Sequence, residues 1–303
     1  MIDLSQLSPM MQHYMETKKE YPDCILFYRL GDFYEMFFDD ALTVSKELEI
    51  TLTGKDCGLS ERAPMCGVPF HALDSYLYRL VQKGYKVAIA EQMEDPRQAK
   101  GLVKREVIRV VTPGTITSSQ VLDETKNNYL MGIVYMDGIY GISTADISTG
   151  DFMVTEVDSD RELFDEINKF SPSEIICNNA FYMSGVDMDE LKNRYQVVIS
   201  ALDSRFFGEE SCRRILMEHF KVGALVGLGL EDYATGIIAA GAVMQYIYET
   251  QKSTLEHITT VTPYSTAQYM VIDTSTRRNL ELVETMREKQ KRGTLLWVLD
   301  KTK

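Results

Sequence analysis

"CILFYRLGDFYEMFFDDA", residues 24–41, places an apolar, aromatic-rich run before a Gly-Asp turn and follows it with a second cluster of rings. Cys24 to Leu30 has the composition of a short strand, and Gly31-Asp32 supplies the turn that closes it. Beyond the turn, Tyr34, Phe37, Phe38, Ala41, Leu42, Ser45 and Leu48 recur at helical spacing. That spacing predicts a helix that starts at once and buries most of the rings. Asp32 would cap this helix, and Glu35, three residues later, would complete its start. Phe33 stands outside the apolar stripe, at the helix mouth beside a glycine. A ring so placed can protrude.

Working outward, Ser8-Pro9 reads as an N-cap and a proline at the first helical position, opening a helix through "MMQHYMETKKE" that ends near Tyr21-Pro22. "EITLTG" adds a strand, and "DCGLSERAPMCGVPFHA", rich in turn-forming residues, reads as a loop. Residues 72–83 form a helix with Leu73, Tyr76, Leu77, Leu80 and Val81 on one face, "KGYKVAIAEQ" a turn and strand, and "REVIRVVTPGT" a strand that stops at Pro113-Gly114. The alternation describes a mixed α/β domain over 1–115, with 116–127 as a linker.

A second unit is expected over 128–260. "NYLMGIVYM", "GIYGISTADIST" and "GDFMVTEV" are strand-like runs separated by Asp137-Gly138 and Thr149-Gly150, which reads as an antiparallel meander. Arg161 to Phe170 (helix), "SEIICN" (strand), "DMDELKNR" (helix) and "YQVVIS" (strand) follow, then helices over Cys212 to Phe220 and Asp232 to Thr250, so the unit is a three-layer α/β domain. Past Pro263, "YMVIDTSTRRNLEL" feeds a helix through Lys291, and "GTLLWVLDKTK" carries large apolar residues that require further sequence to pack against. The chain is expected to be the N-terminal portion of a longer protein.

With 303 residues, 45% of them hydrophobic, there is enough chain for about two domains with real cores. Five scattered cysteines and an N-terminus without a basic-then-apolar leader give no sign of a disulfide framework or export, so a cytoplasmic location is expected. No apolar run reaches the length of a membrane span. Thirty-two Lys and Arg against 45 Asp and Glu make a net charge of -13, which on average disfavours a polyanionic partner. The exception is local: "RQAKGLVKREVIR", residues 97–109, sets Arg97, Lys100, Lys104, Arg105 and Arg109 against Glu106 alone. A solvated surface would account for such a run as well as a nucleic-acid contact would.

Enzyme chemistry finds little support. Cys57, Cys66 and His71 are separated by nine and five residues, unlike a zinc site, and the glycines of "GALVGLGLEDYATG" lack dinucleotide or P-loop spacing. Asp146 in "TADIS" could serve a metal-dependent hydrolase only if further carboxylates converged on it. Two readings remain for the opening stretch. In one, Phe33 is core and the basic run merely solvated, giving a structural or protein-interaction module. In the other, Phe33 is a wedge that enters the minor groove and unstacks a base step, and Glu35, repelled by phosphate, accepts a hydrogen bond from a base edge.

The segments "SPMMQHY", "LFYRLGDFYEMFFDDA", "APMCGVPFHA", "VAIAEQMEDP", "VIRVVTPGT" and "ADISTG" resemble, in order, those of the bacterial MutS family of DNA mismatch repair proteins, and the resemblance spans essentially the whole chain. It implies a mixed α/β mismatch-binding domain, a ribonuclease H-like three-layer α/β connector domain over 128–260, and the start of a helical core over 261–303. The family's Phe-x-Glu element falls on Phe33 and Glu35, which would stack on and hydrogen-bond the mispaired base. Met65 matches a position near the minor groove, Arg105 an arginine of the basic strand, with Lys100, Lys104 and Arg109 as lesser members of the patch. The partners implied are duplex DNA with mismatches or small unpaired loops, a MutL-type protein at the connector, and a second copy joined through regions beyond Lys303. Catalysis is not expected of these residues: ATP, Mg and the ATPase activity belong to a C-terminal domain outside this sequence.

Overall fold

The computed structural model describes residues 4–94, 101–117, 127–268, 270, 272–288 and 290–300. The expected linker and part of the basic run, including Lys100, fall largely outside the described residues. The first unit runs α1 (Pro9–Glu20), β1 (Cys24–Leu30), β2 (Phe33–Phe37), α2 (Phe38–Leu48), β3 (Thr53–Lys55), β4 (Ala63–Pro69), α3 (Leu73–Gln82), β5 (Lys86–Gln92) and β6 (Arg105–Val111). Its six strands lie in the order β3-β4-β2-β1-β5-β6, with β1 parallel to β5 and every other pair antiparallel.

Both faces of this sheet are covered, which explains why "CILFYRL" is apolar at consecutive positions. Ile25 and Phe27 join Tyr34, Met36, Val87 and Ile89 beneath α2 and α3. Cys24, Leu26 and Tyr28 join Phe37, Ala88 and Ala90 on the side of Met11 and Tyr14 of α1. The buried Asp40 carboxylate ties three elements together by accepting from the Leu26 N–H at 2.9 Å, the Tyr14 hydroxyl at 3.2 Å and Lys18 Nζ at 2.9 Å.

Two sequence expectations change here. The helix predicted from Tyr34 does not begin there: residues 33–37 are strand β2, paired with β1 on one side and β4 on the other. Asp32 and Glu35 therefore cap no helix. The helix starts at Phe38, which turns the chain directly out of the strand with φ 53, a left-handed conformation unusual for a bulky residue. The "APMCGVP" stretch, read as loop, is strand β4 and pairs with both β2 and β3. Ser8 does stand at the α1 N-cap position with proline following, but its side chain makes no capping hydrogen bond.

The second unit contains β7 (Tyr129–Met136), β8 (Ile139–Asp146), β9 (Asp151–Val157), α4 (Asp160–Phe170), β10 (Glu174–Cys177), α5 (Asn179–Tyr182), α6 (Met188–Tyr195), β11 (Val198–Ala201), α7 (Glu209–Phe220), α8 (Ala234–Gln251) and β12 (Thr262–Pro263). The predicted meander is present. Asp137 and Gly138 take φ 52 and 83, the conformation a two-residue hairpin turn demands. The sheet order is β11-β10-β7-β8-β9-β12, with β10 parallel to β7 and β11 parallel to β10. On one face α8 lies so close that a Cβ on Gly141 would sit 2.4 Å from the Thr235 carbonyl. Leu163, Ile167, Phe181 and Leu191, from α4 to α6, fill the other face. Beyond β12 the expected helix through Lys291 is, among the described residues, only the short α9 (Thr274–Asn279), with Glu281 at φ 47 just after it, and a second short helix, α10 (Leu295–Leu299), follows past Lys291. Among the described residues no helix is long and apolar enough to cross a membrane.

The units meet at a buried carboxylate. Glu174, fully enclosed, accepts from Thr112 Oγ1 and from the Gly114 N–H (3.0 Å) of the segment after β6, and from the Tyr246 hydroxyl (2.7 Å) of α8. Lys252 Nζ, just past α8, donates to the Val107 carbonyl at 2.8 Å.

Candidate nucleic-acid interface

Strand pleating decides what the opening stretch presents. In β2, Tyr34 and Met36 point to the α2/α3 core and Phe37 to the α1 core, so Phe33 and Glu35 share the Phe37 face. Phe37 is buried there, whereas Phe33, near the sheet's end, is 47% exposed. The ring is carried on a braced turn. Gly31 adopts φ 57, the Phe70 N–H donates to the Asp32 carbonyl at 2.9 Å, and Arg29 Nε donates to the Gly31 carbonyl. The Arg29 guanidinium lies 4.2 Å from the Phe70 ring centroid and 3.6 Å from Glu91, whose carboxylate also accepts from the Tyr34 hydroxyl. Burial, reinforced by that hydrogen bond, pushes the Tyr34 phenol up, so it stays a donor.

Glu35 is half-buried and receives Lys55 Nζ on Oε2 at 2.5 Å. Opposite it on β4 stands Gly67, where an added Cβ would lie 3.5 Å from Glu35 Cγ and 3.2 Å from the Tyr34 carbonyl. Met65 is on β4, facing Phe37 across one strand pair and Thr53 across the other, so it shares the face of Phe33 and Glu35. Phe33, Glu35 and Met65 are thus brought to one face of adjacent strands. Lys55 joins them through β3, a contact that sequence spacing did not signal.

The described members of the basic run are not brought together. Lys104 is exposed and paired with Glu106 at 2.5 Å, a contact that lifts the lysine above its ordinary range and holds the glutamate below its own. Arg105 is only 6% exposed and gives Nε to the Arg29 carbonyl and Nη1 to the Val103 carbonyl, each at 2.7 Å. It braces the strand behind the Phe33 turn, so its guanidinium is engaged by backbone carbonyls in this structure. Arg109 sits on the opposite face. A bulge between Ile89 and Ala90 lets β6 slip one residue, so Val107 and Val110 face the α1 core while Arg109 lines a small cavity with Asp74, Leu77 and Val111. Lys100 lies outside the described residues.

The other chemical candidates resolve into structure. Asp146 accepts from the backbone of Asn128 and Ser148 and from Ser148 Oγ, organising the β8–β9 turn. Cys57 belongs to the α1 core and Cys66 to the α2/α3 core, on opposite faces of the sheet. Among the described residues no three His, Cys, Asp or Glu side chains converge as a metal site.

Comparison with known families covers most of the chain. The family model "MutS domain I" matches residues 8–120 and "MutS domain II" matches residues 128–259. The chain belongs to the MutS family. It is 64% identical over 300 residues to the DNA mismatch repair protein MutS of Lachnoclostridium phytofermentans, covering 99% of this chain and 32% of that protein. It is also 54% identical over 302 residues to the MutS protein of Acetivibrio thermocellus and 52% over 302 to that of Ruminiclostridium cellulolyticum, each match covering 99% of this chain and 34% of the relative. The chain spans about a third of the length of the MutS relatives it matches.

Proposed function

We propose that residues 1–115 recognise mismatched DNA by inserting Phe33 at the mispair while Glu35 accepts a hydrogen bond from the displaced base. The single observation that carries this is the exposed Phe33 ring on the same strand face as a carboxylate whose Oε1 accepts no hydrogen bond among the described residues. The structural-module reading asked for an enclosed Phe33 and a Glu35 committed to the Asp32 amide. Glu35 is instead paired with Lys55.

The physics is recognition by deformability. A mispaired step is weakly stacked, so kinking it costs less than kinking a matched duplex, and a ring entering there is selective without reading sequence. Stacking of a base on an aromatic ring contributes about 1–3 kcal/mol. Met65 flanks the probe on its own face, Lys104, with Lys100, supplies backbone attraction, and Arg105 holds the turn. Arg109, on the far face, contributes least.

Residues 128–260 are read as a ribonuclease H-like connector, supported by the antiparallel β7–β9 meander followed by parallel β10 and β11. Its work is to couple the DNA-binding unit to the rest of the protein and to a MutL-type partner. Residues 261–303 begin the core that leads to the ATP- and Mg-dependent dimerising region. The test uses the full-length protein: affinity for G·T, unpaired-base and matched duplexes at one fixed salt concentration. Phe33→Ala should lower the mismatched-to-matched ratio by roughly 5- to 150-fold. An unchanged ratio would sink the wedge.

A further inference from the structure

We infer that Lys55 is a positioning residue of the mismatch probe, one that orients the Glu35 carboxylate by engaging a single one of its oxygens. The inference rests on the proposed role of Phe33 and Glu35. Lys55 ends β3, two strands away from β2, and reaches across β4 to place Nζ 2.5 Å from Glu35 Oε2. Lys55 stands opposite Ala63 and Glu35 opposite Gly67, so the contact runs diagonally across β4, between the two smallest residues of its face.

Three consequences follow from this geometry. First, Lys55 occupies Oε2, so among the described residues Oε1 is the acceptor left for a base. Second, the ammonium lies 5.6 Å from the Phe37 ring and the Lys55 side chain is only one-third exposed, so the group is anchored from two sides. Third, a bare carboxylate approaching a phosphate backbone is repelled, and a lysine in contact offsets that charge at the place where the repulsion would act. A charge-assisted contact of this kind also holds the carboxylate in one rotamer, reducing the ordering that binding would otherwise require.

A lysine at this place could instead contact a phosphate directly, and the two roles give different results. The experiment is a mutant cycle in the full-length protein with Phe33 intact: wild type, Lys55→Met, Glu35→Ala and the double variant, each titrated with G·T and matched duplexes over a salt series. Lys55→Met is expected to lower the mismatched-to-matched ratio by at least about threefold, an effect that vanishes in the Glu35→Ala background. Lys55→Arg, which can still reach the carboxylate, is expected to recover most of the ratio. The inference is overturned if Lys55→Met lowers the ratio equally with and without Glu35. It is also overturned if the variant weakens both duplexes alike and makes the salt slope shallower by about one, the signature of a lost phosphate contact. Phe33→Ala separates the two levels: no effect there removes the proposed function, whereas a clear effect there with an additive cycle removes only the role of Lys55.

Discussion

Replacing Glu174 with alanine tests whether a buried carboxylate holds the two units together. The residue is fully enclosed, and its oxygens accept from Thr112 Oγ1, the Gly114 N–H and the Tyr246 hydroxyl. On truncation Thr112 Oγ1 keeps a partner in Thr115 Oγ1 at 2.9 Å, so two buried donors lose theirs. A buried donor left unsatisfied costs about 1–3 kcal/mol, which gives roughly 2–6 kcal/mol for the pair. Removing the carboxylate also relieves its own desolvation, which draws the net loss toward the low end of that range. Against the 5–15 kcal/mol typical of a folded domain, about 2–3 kcal/mol is a large fraction. The assay is urea unfolding of this chain followed by far-UV circular dichroism, with Glu174→Gln expected to fall between wild type and alanine because it retains one acceptor oxygen. A loss below about 1 kcal/mol for Glu174→Ala would refute the reasoning, since the orphaned donors would then have found other partners.

Gly241→Ala should destabilise by about 1–3 kcal/mol despite the better helix propensity of alanine, because the new Cβ would lie 2.3 Å from Cys212 Cβ where α7 meets α8. Gly223→Ala, with nothing within 4 Å, is the control and should leave the thermal midpoint nearly unchanged. Burial pushes the thiols of Cys24, Cys66, Cys177 and Cys212 up to about 12, so thiol-reactive reagents should label them at pH 8 only as fast as the chain opens. The same shift makes stability fall with rising pH. Above about pH 9 the unfolded chain releases thiol protons that the folded chain retains until about 12, and a urea series across that window should show the decline.

The meander and its helices were legible because each strand is bounded by a turn with its own chemistry, as at Asp137-Gly138. β2 was misread for a physical reason. A sheet covered on both faces fills consecutive positions with apolar side chains, so period 2 disappears from "FYEMF". The strand then passes into α2 through Phe38 with no turn residue between them. β4 was hidden by Pro64, Gly67 and Pro69, which read as turn chemistry yet serve a strand; Gly67 is needed where β4 approaches β2 closely. At the site, Phe33 and Glu35 could be picked out because they are neighbours in sequence. Lys55 could not, since its contact is made across two strand pairings. Arg105 and Arg109 looked like one basic stripe because residues four apart on a regular strand share a face. The bulge breaks that rule, and no local residue announces it.

Phe33 is rooted in an interior strand, paired to Leu30 of β1 and to Pro69 of β4. A ring at the tip of a free loop would yield when pressed, spreading the strain into its own backbone. Here displacement would have to be shared by ladders on both sides, so the protein acts as the stiff body in any encounter. Under the proposed function, the partner that meets this ring does the bending, and selection among partners becomes a comparison of their compliance.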